Sequence, residues 1–184
     1  MSTDRVDAGR RVPEDCNEII EIPMLAPPIK YEVDKLSGAI FVDRFMATAM
    51  HYPCNYSYIP RTLSADGDPV DVLVISPVPL LTGIVVRSRP IGLLAMRDEH
   101  GDDAKVLAVP VDALCDLYTK VRSINDLPRG QLDQIVHFFR HYKELEPGKF
   151  VEVGGWEDEA AAHREILAGI SSFERGSSVA ASAE

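Results

Sequence analysis

The sequence predicts a mainly β domain with flanking helices (α+β), in which short strands form a small β-barrel and two main C-terminal helices pack outside it. Three observations predict this. Short β-branched runs divided by Gly and Pro recur from Glu18 to Val109, the pattern of an all-β segment with frequent turns. Apolar residues at helical spacing are confined to the last third of the chain. At 184 residues, 46% of them hydrophobic, the chain fits one domain with enough bulk for a core, and it shows no internal repeat.

Taken in order, residues 1–17 are polar and without periodicity, which predicts a loosely ordered arm. From Glu18 the run Glu18-Ile19-Ile20-Glu21-Ile22 is strand-like, and Pro27-Pro28 marks a loop. Ile29-Lys30-Tyr31-Glu32-Val33 alternates with period two, so Lys30 and Glu32 share a face. Lys35-Leu36-Ser37-Gly38 reads as a hairpin turn into Ala39–Phe45, where Arg44 is expected on the face of Ile40 and Val42, an odd place for a charge unless an anion waits there. Met50 to Pro60 is aromatic and interrupted by Pro, too irregular for a helix, and Tyr52, Tyr56 and Tyr58 suit core filling as well as function. Val72–Ile75, Ile84–Met96 and Val106–Val109 supply further strands. Gln131–Leu145 carries Leu132, Ile135, Val136, Phe139 and Tyr142 at amphipathic helix spacing, and Pro147-Gly148 ends it. A short strand is expected over Lys149–Val153 and a second helix over Asp158–Phe173. The small polar residues 176–184 predict a disordered tail, which leaves 18–175 as the single folded domain.

The most informative stretch is Asp66-Gly67-Asp68-Pro69-Val70-Asp71, directly before the strand Val72–Ile75. Gly67 tolerates positive φ and Pro69 fixes its own, so a tight turn gathers three carboxylates. Two like charges about 4 Å apart repel by roughly 4 kcal/mol at an effective dielectric of ~20. A hard divalent cation held by oxygens relieves that repulsion. Asp, Gly and Pro are also common turn formers, so the stretch alone does not decide. An EF-hand reading fails, because positions six and twelve counted from Asp66 are Asp71 and Pro77 where Gly and Glu are needed. An aspartyl-phosphate reading fails because the strand follows the motif and does not precede it. A second acidic bend, Asp98-Glu99-His100-Gly101-Asp102-Asp103, feeds the strand after Lys105 in the same way.

Composition narrows the partners. Nineteen basic residues against 29 acidic ones give a net charge of −10, which argues against a nucleic-acid partner. No apolar run approaches the ~20 residues of a membrane span and the N-terminus has no signal-like apolar core, so no membrane association is expected. Cys16, Cys54 and Cys115 are far apart and form no C-x-x-C, which predicts reduced thiols and a cytoplasmic protein. The candidate acids are Glu21, Glu32, Asp66, Asp68, Asp71, Asp98 and Asp103 and the candidate cations Lys30, Arg44, Lys105 and Lys143, several of which interrupt apolar strands where a lone charge is costly to bury. Two carboxylate clusters with scattered Lys and Arg suit a polyanion bridged by Mg²⁺, an arrangement for phosphoryl transfer.

The ordered set of motifs resembles the soluble (family I) inorganic pyrophosphatases in their bacterial form. Asp66-Gly67-Asp68-Pro69-Val70-Asp71-Val72 stands as the family signature, and the likeness runs from about Glu18 to Phe173. Around it lie Glu21-Ile22-Pro23, Lys30-Tyr31-Glu32, Asp43-Arg44, Tyr52-Pro53-x-Asn55-Tyr56, Asp98-Glu99, Asp103-x-Lys105 and His141-Tyr142-Lys143. The resemblance implies a closed, OB-like barrel, a homo-oligomer (a hexamer), and Mg-dependent hydrolysis of pyrophosphate to two phosphates, with Mn²⁺ or Zn²⁺ as substitutes. It implies Asp66, Asp71 and Asp103 as primary metal ligands, with Asp98, Glu21 and Glu32 serving further ions. Lys30, Arg44, Tyr56, Lys105, Tyr142 and Lys143 would grip phosphate oxygens, and Asp68 would be the general base. The alternatives are another metal-dependent phosphohydrolase acting on a nucleotide, or a non-enzymatic OB-like binding module. No base-recognition element or Nudix-type Glu-rich helix is evident.

Two features depart from the pattern or distract from it. Ser57 stands where the family commonly has Gly, so the backbone there is strained if it needs positive φ. His137 and His141 have the i, i+4 spacing of zinc-binding pairs but lack the Glu of H-E-x-x-H, which favours an oligomer-interface role. His51, His100 and His163 are expected at the surface.

Overall fold

The structure, a computed structural model, describes residues 5–181. Nine strands are laid down as β1 (Cys16–Ile22), β2 (Ile29–Val33), β3 (Ile40–Phe45), β4 (Asn55–Tyr58), β5 (Asp71–Val74), β6 (Val85–Asp98), β7 (Gly101–Asp102), β8 (Lys105–Pro110) and β9 (Val151–Glu157), with helices α1 (Arg129–His141) and α2 (Glu159–Ala181). The main sheet runs β1-β4-β5-β8-β6-β7, and β1 also pairs with β6. Five strands therefore close into a ring, the OB-like barrel predicted from sequence. β9 extends the sheet along β6, and β2 and β3 form a separate hairpin.

β5 and β8 are the parallel pair at the centre, with Val72 opposite Val106 and Leu73 opposite Leu107. Their residues are apolar on both faces because both faces are covered. Leu73, Ile75, Leu107 and Val109 join a core completed by Leu132, Ile135, Phe138 and Phe139 of α1. Val72, Val74, Val106 and Ala108 join a second core with Ala161, Ala162 and Ile166 of α2. The two helices thus pack on opposite faces of one sheet.

Several boundaries differ from expectation, each for a visible reason. Residues 5–15, predicted as a loose arm, lie on the sheet: Ala8 is buried, Val12 packs against the second core, and the buried Asp15 carboxylate accepts from Arg87 of β6. Charged residues hide this docking in the sequence, because the apolar contacts are single and widely spaced. The helix expected to end at Phe173 continues as α2 to Ala181, so the predicted disordered tail is helical as far as the described residues go. No proline interrupts that stretch, and Ala favours the helix. Residues 1–4 and 182–184 of the expected arm and tail lie outside the described residues. α1 runs Arg129–His141 in place of Gln131–Leu145, and β9 starts at Val151, two residues late, and runs on to Glu157. In the hairpin the register slips between Lys30 and Tyr31, so Arg44 faces Lys30 while Val42 faces Tyr31. That bulge parts Arg44 from the face of Ile40 and Val42, leaving it half-buried while both of those are exposed.

Candidate active site

The two acidic bends meet because they feed neighbouring parallel strands at the same end. Asp71 opens β5 and Lys105 opens β8, one residue before the paired Val72 and Val106. The first bend is fixed by its own backbone: Ser64 N donates to Asp68 O at 2.7 Å, Asp68 N donates to Asp66 Oδ1 at 3.0 Å, and Gly67 adopts φ 92°. α2 braces it, since Leu63 N donates to Gly169 O at 2.9 Å and a Cβ on Gly169 would lie 2.5 Å from Val70 Cγ2. In the second bend His100 N donates to Asp98 Oδ1 at 2.8 Å, and Asp103 N donates to Met96 O at 2.9 Å.

A cavity of about 320 Å³ lies between the bends. Asp66, Asp68, Asp71, Asp98 and Asp103 line it with carboxylates, and Lys30, Arg44, Lys105 and Lys143 line it with cations. Tyr56 and Tyr142 complete the predicted set there. Glu21 and Glu32 lie in an adjoining recess that shares Lys30, Tyr56, Asp68 and Asp71 with the first. All thirteen residues singled out from sequence thus fall on two connected hollows. The structure adds Tyr52, Glu99, His100, Phe139 and Lys149 to the main cavity. Of these, Lys149 carried a signal only in its nearness to Lys143 in sequence, whereas Glu99 stood in the second acidic bend and the Asp98-Glu99 motif without a role assigned to it. Tyr58 is buried filler, as the sequence allowed, Tyr52 is buried in the core and borders the cavity, and Tyr56 reaches the acids.

Lys105 holds the centre of the electrostatics. Its ammonium, 3% exposed, donates to Asp71 Oδ2 at 2.5 Å and to Asp103 Oδ1. Burial would lower its pKa, but the two carboxylates outweigh that and hold it above the ordinary lysine value. Tyr56 Oη also donates to Asp71 Oδ2, at 2.5 Å, and burial next to that acid pushes the phenol well up. Lys143 Nζ donates to Asp98 Oδ2 at 2.6 Å in a buried pair. Burial opposes Asp98 ionisation, yet Lys143 and the His100 N–H bring its carboxyl below the usual range. Lys30 pairs with Glu32 at 2.6 Å and Asp43 at 3.3 Å, which raise its pKa against the effect of burial.

Two acids are destabilised as anions. Burial pushes Glu21 up to about 8, although Val33 N donates to its Oε1 at 3.0 Å. Asp66 is raised by desolvation and by the like charges of Asp103, Asp71 and Asp68. Such groups favour a positive charge nearby. The donor set is all oxygen, which suits a hard cation such as Mg²⁺. Among the described residues no three of these acids are grouped as the ligands of an ion, and the Lys105 ammonium sits between Asp71 and Asp103. The residues fit a divalent ion in donor chemistry, with the Lys105 ammonium standing where added positive charge is needed.

Residues 18–174 match the family model described as inorganic pyrophosphatase. The chain belongs to the inorganic pyrophosphatase family. It is 59% identical over 175 residues to the inorganic pyrophosphatases of Yersinia pestis and Escherichia coli, covering 95% of this chain and 98% of each of theirs. The inorganic pyrophosphatase of Thermus thermophilus superposes with a TM-score of 0.88 at 42% identity, covering 95% of this chain and 99% of that one. A structure from Coxiella burnetii, also an inorganic pyrophosphatase, gives 0.88 at 50% identity over 91% of this chain and 99% of its own. Membership makes the chain an enzyme, an inorganic diphosphatase that hydrolyses pyrophosphate. Among the described residues no helix is long and apolar enough to cross a membrane.

Proposed function

We propose that the cavity hydrolyses inorganic pyrophosphate to two orthophosphates in a Mg²⁺-dependent reaction, by direct attack of water with Asp68 as general base. The observation that carries this reading is the convergence of both acidic bends and four cations on one cavity. Asp66, Asp71 and Asp103 would hold the principal metal, with Asp98, Glu21 and Glu32 serving further ions, and Mn²⁺ or Zn²⁺ able to substitute. When bound, Mg²⁺ lowers the pKa of water and screens the substrate's negative charge.

The protein's own groups supply the rest. Asp68 is exposed at the tip of its turn, open to the cavity and free to take a proton from water. Lys30, Arg44, Tyr142 and Lys143 line the cavity where phosphate oxygens would lie, and their charges and hydroxyl favour the developing anion. Tyr56 holds Asp71 in place through its phenol and lines the same cavity, where it would also meet a phosphate oxygen. Lys105 neutralises Asp71 and Asp103 and would release them to the cation on loading.

We assign the enzyme to the cytoplasm on its free thiols at Cys16, Cys54 and Cys115. Homo-oligomerisation, as a hexamer, follows from the resemblance to the bacterial family, and we place His137 and His141, whose rings lie 4.7 Å apart on one flank of α1, at its interface. Phosphate release from pyrophosphate, and not from ATP, with Mg²⁺ present tests the activity. Release from ATP at a comparable rate would favour a nucleotide phosphohydrolase.

A further inference from the structure

β1 carries a carboxyl that the catalytic reading leaves unused. Glu18 is fully buried, set between Cys16 and Ile20 on the strand face that joins the α2-covered core. Ser88 Oγ of β6 donates to its Oε1, while Oε2 is buried with no hydrogen-bond partner. The Ser57 hydroxyl of β4 donates to Val72 O at 3.0 Å and bears on the same carboxyl. Ser57 takes the place where glycine was expected. Its backbone is not strained, because among the described residues the only non-glycine positive φ values are at Leu25 and Arg61. The side chain therefore adds a hydroxyl next to a buried acid at no conformational cost.

A carboxylate in an apolar core with one hydrogen bond pays a desolvation penalty that neutralisation avoids. The charged groups on the surrounding elements are engaged elsewhere. Asp15 pairs with Arg87 of β6, Asp71 of β5 with Lys105 of β8, and on α2 His163 pairs with Glu159 while Glu165 accepts from Ser64. On β1 itself the other titratable neighbours are the buried Cys16 thiol and Glu21. Tyr58 of β4, opposite Ile19, is buried as well.

We infer that Glu18 is a positioning residue: kept as the neutral acid, it clips β1 to β6 and β4 behind the catalytic cavity, and losing its proton loosens that seam. Two site residues depend on the seam. Ser57 is the neighbour of Tyr56, and the β1–β4 ladder pairs Ile20 with Ser57 and Ile22 with Tyr56, slipping at Glu21 between them. Such a bulge aims the Glu21 side chain, so the clip sits just ahead of the point where β1 turns toward the recess. The link to catalysis rests on the proposed roles of Tyr56 and Glu21, whereas the state of the Glu18 carboxyl does not.

Burial pushes Glu18 up to about 8, against 4.5 for an ordinary glutamate. The folded chain keeps a proton that the unfolded chain gives up, so the clip's contribution is whole below 4.5 and fades as pH rises through about 8. The experiment is infrared spectroscopy of the full chain with carboxyl-labelled glutamate, comparing wild type with Glu18→Gln. A protonated-carboxyl band at pH 7 that is missing from Glu18→Gln and fades above pH 8 is the expected result. Glu21, which titrates in the same range, cancels in that difference. In urea, the wild-type midpoint is expected to fall more than that of Glu18→Gln between pH 6 and 9. The alkaline limb of kcat/KM is expected to move to higher pH in the variant, with the acid limb unmoved, which a merely structural change would not produce. Ser88→Ala is expected to shift the band's frequency, a check that holds even if Glu18→Gln does not fold. A Glu18 already ionised at pH 7, or identical alkaline responses in the two proteins, overturns the inference. An inactive Asp68→Asn alongside an ionised Glu18 would overturn this clip alone; a fully active Asp68→Asn with the band present would overturn the catalytic reading alone.

Discussion

Lys105 does two things at once in this cavity. Its ammonium sits between Asp71 and Asp103, and it is nearly fully buried. Removing one partner of a buried ion pair leaves an uncompensated charge and costs about 3–5 kcal/mol. Lys105→Met in the presence of a chelator is therefore expected to lower the unfolding free energy from urea titration by about that much, seen as a lower midpoint. Added Mg²⁺ is expected to return part of the loss in the variant and less in the wild type, because the two acids then have a cation again. An unchanged midpoint in chelator would mean that Lys105 does not hold the two acids together. The residue scale is also where the sequence was most legible. Asp66, Asp68 and Asp71 declare themselves through the Gly and Pro between them, and Asp98 and Asp103 through the same device used twice. Lys149 was not legible, because a single charge in a loop after a helix looks like any solvated surface residue, and Glu99, though part of the second acidic bend, carried no role of its own.

At the scale of elements, the site depends on how helices and chain ends are pressed onto the strands. α2 approaches the first acidic bend so closely that Gly169 has no room for a methyl group. Gly169→Ala forces Val70 or the helix to shift, an overpacking expected to cost about 1–3 kcal/mol. Urea unfolding measures it, and faster hydrogen exchange at the Leu63 amide, which donates to Gly169 O, would place the damage at the bend. The N-terminal segment gives a pH-dependent case. Arg87 holds the Asp15 carboxyl below its ordinary value through a hydrogen bond and its charge, outweighing burial. A depressed carboxyl contributes stability that is present above its unfolded value of about 3.8 and is lost as pH falls through the lower folded value. Arg87→Met is therefore expected to unfold at a higher pH on acid titration, with the curves differing least where Asp15 is protonated in both. Element boundaries were the part least visible in advance. α2 runs past its expected end despite Gly176, Ser177 and Ser178 because no proline in 174–181 stops it, and the 5–15 segment is tied by scattered contacts that no periodicity records.

For the whole molecule, the closed ring of five strands explains why residues as far apart as Glu21 and Lys143 share connected hollows. The run of short strands followed by helices was enough to predict a small barrel with outer helices. The order of pairing, with β5 and β8 parallel and β1 sealed to β6, was not available from local patterns, since pairing partners are set by tertiary contacts. Beyond one chain, the β2–β3 hairpin exposes Ile40, Phe41, Val42 and Phe45, and α1 presents its His137–His141 flank. Exposed apolar area of this kind fits an assembly. Sedimentation velocity is expected to show a hexamer that dissociates toward smaller species when His137 and His141 are both Ala; an unchanged profile would remove the histidines from the interface.

If the two acidic bends form one Mg²⁺-dependent centre in which Asp68 takes the proton from the attacking water, removing that carboxylate's basicity must stop turnover. Steady-state phosphate release from pyrophosphate by wild type and Asp68→Asn, each with Mg²⁺ and each checked for an intact fold, tests it most directly. Turnover is expected in the wild type, with a loss of about 10²–10⁴-fold in kcat for the variant. A folded Asp68→Asn that turns over like the wild type would contradict it.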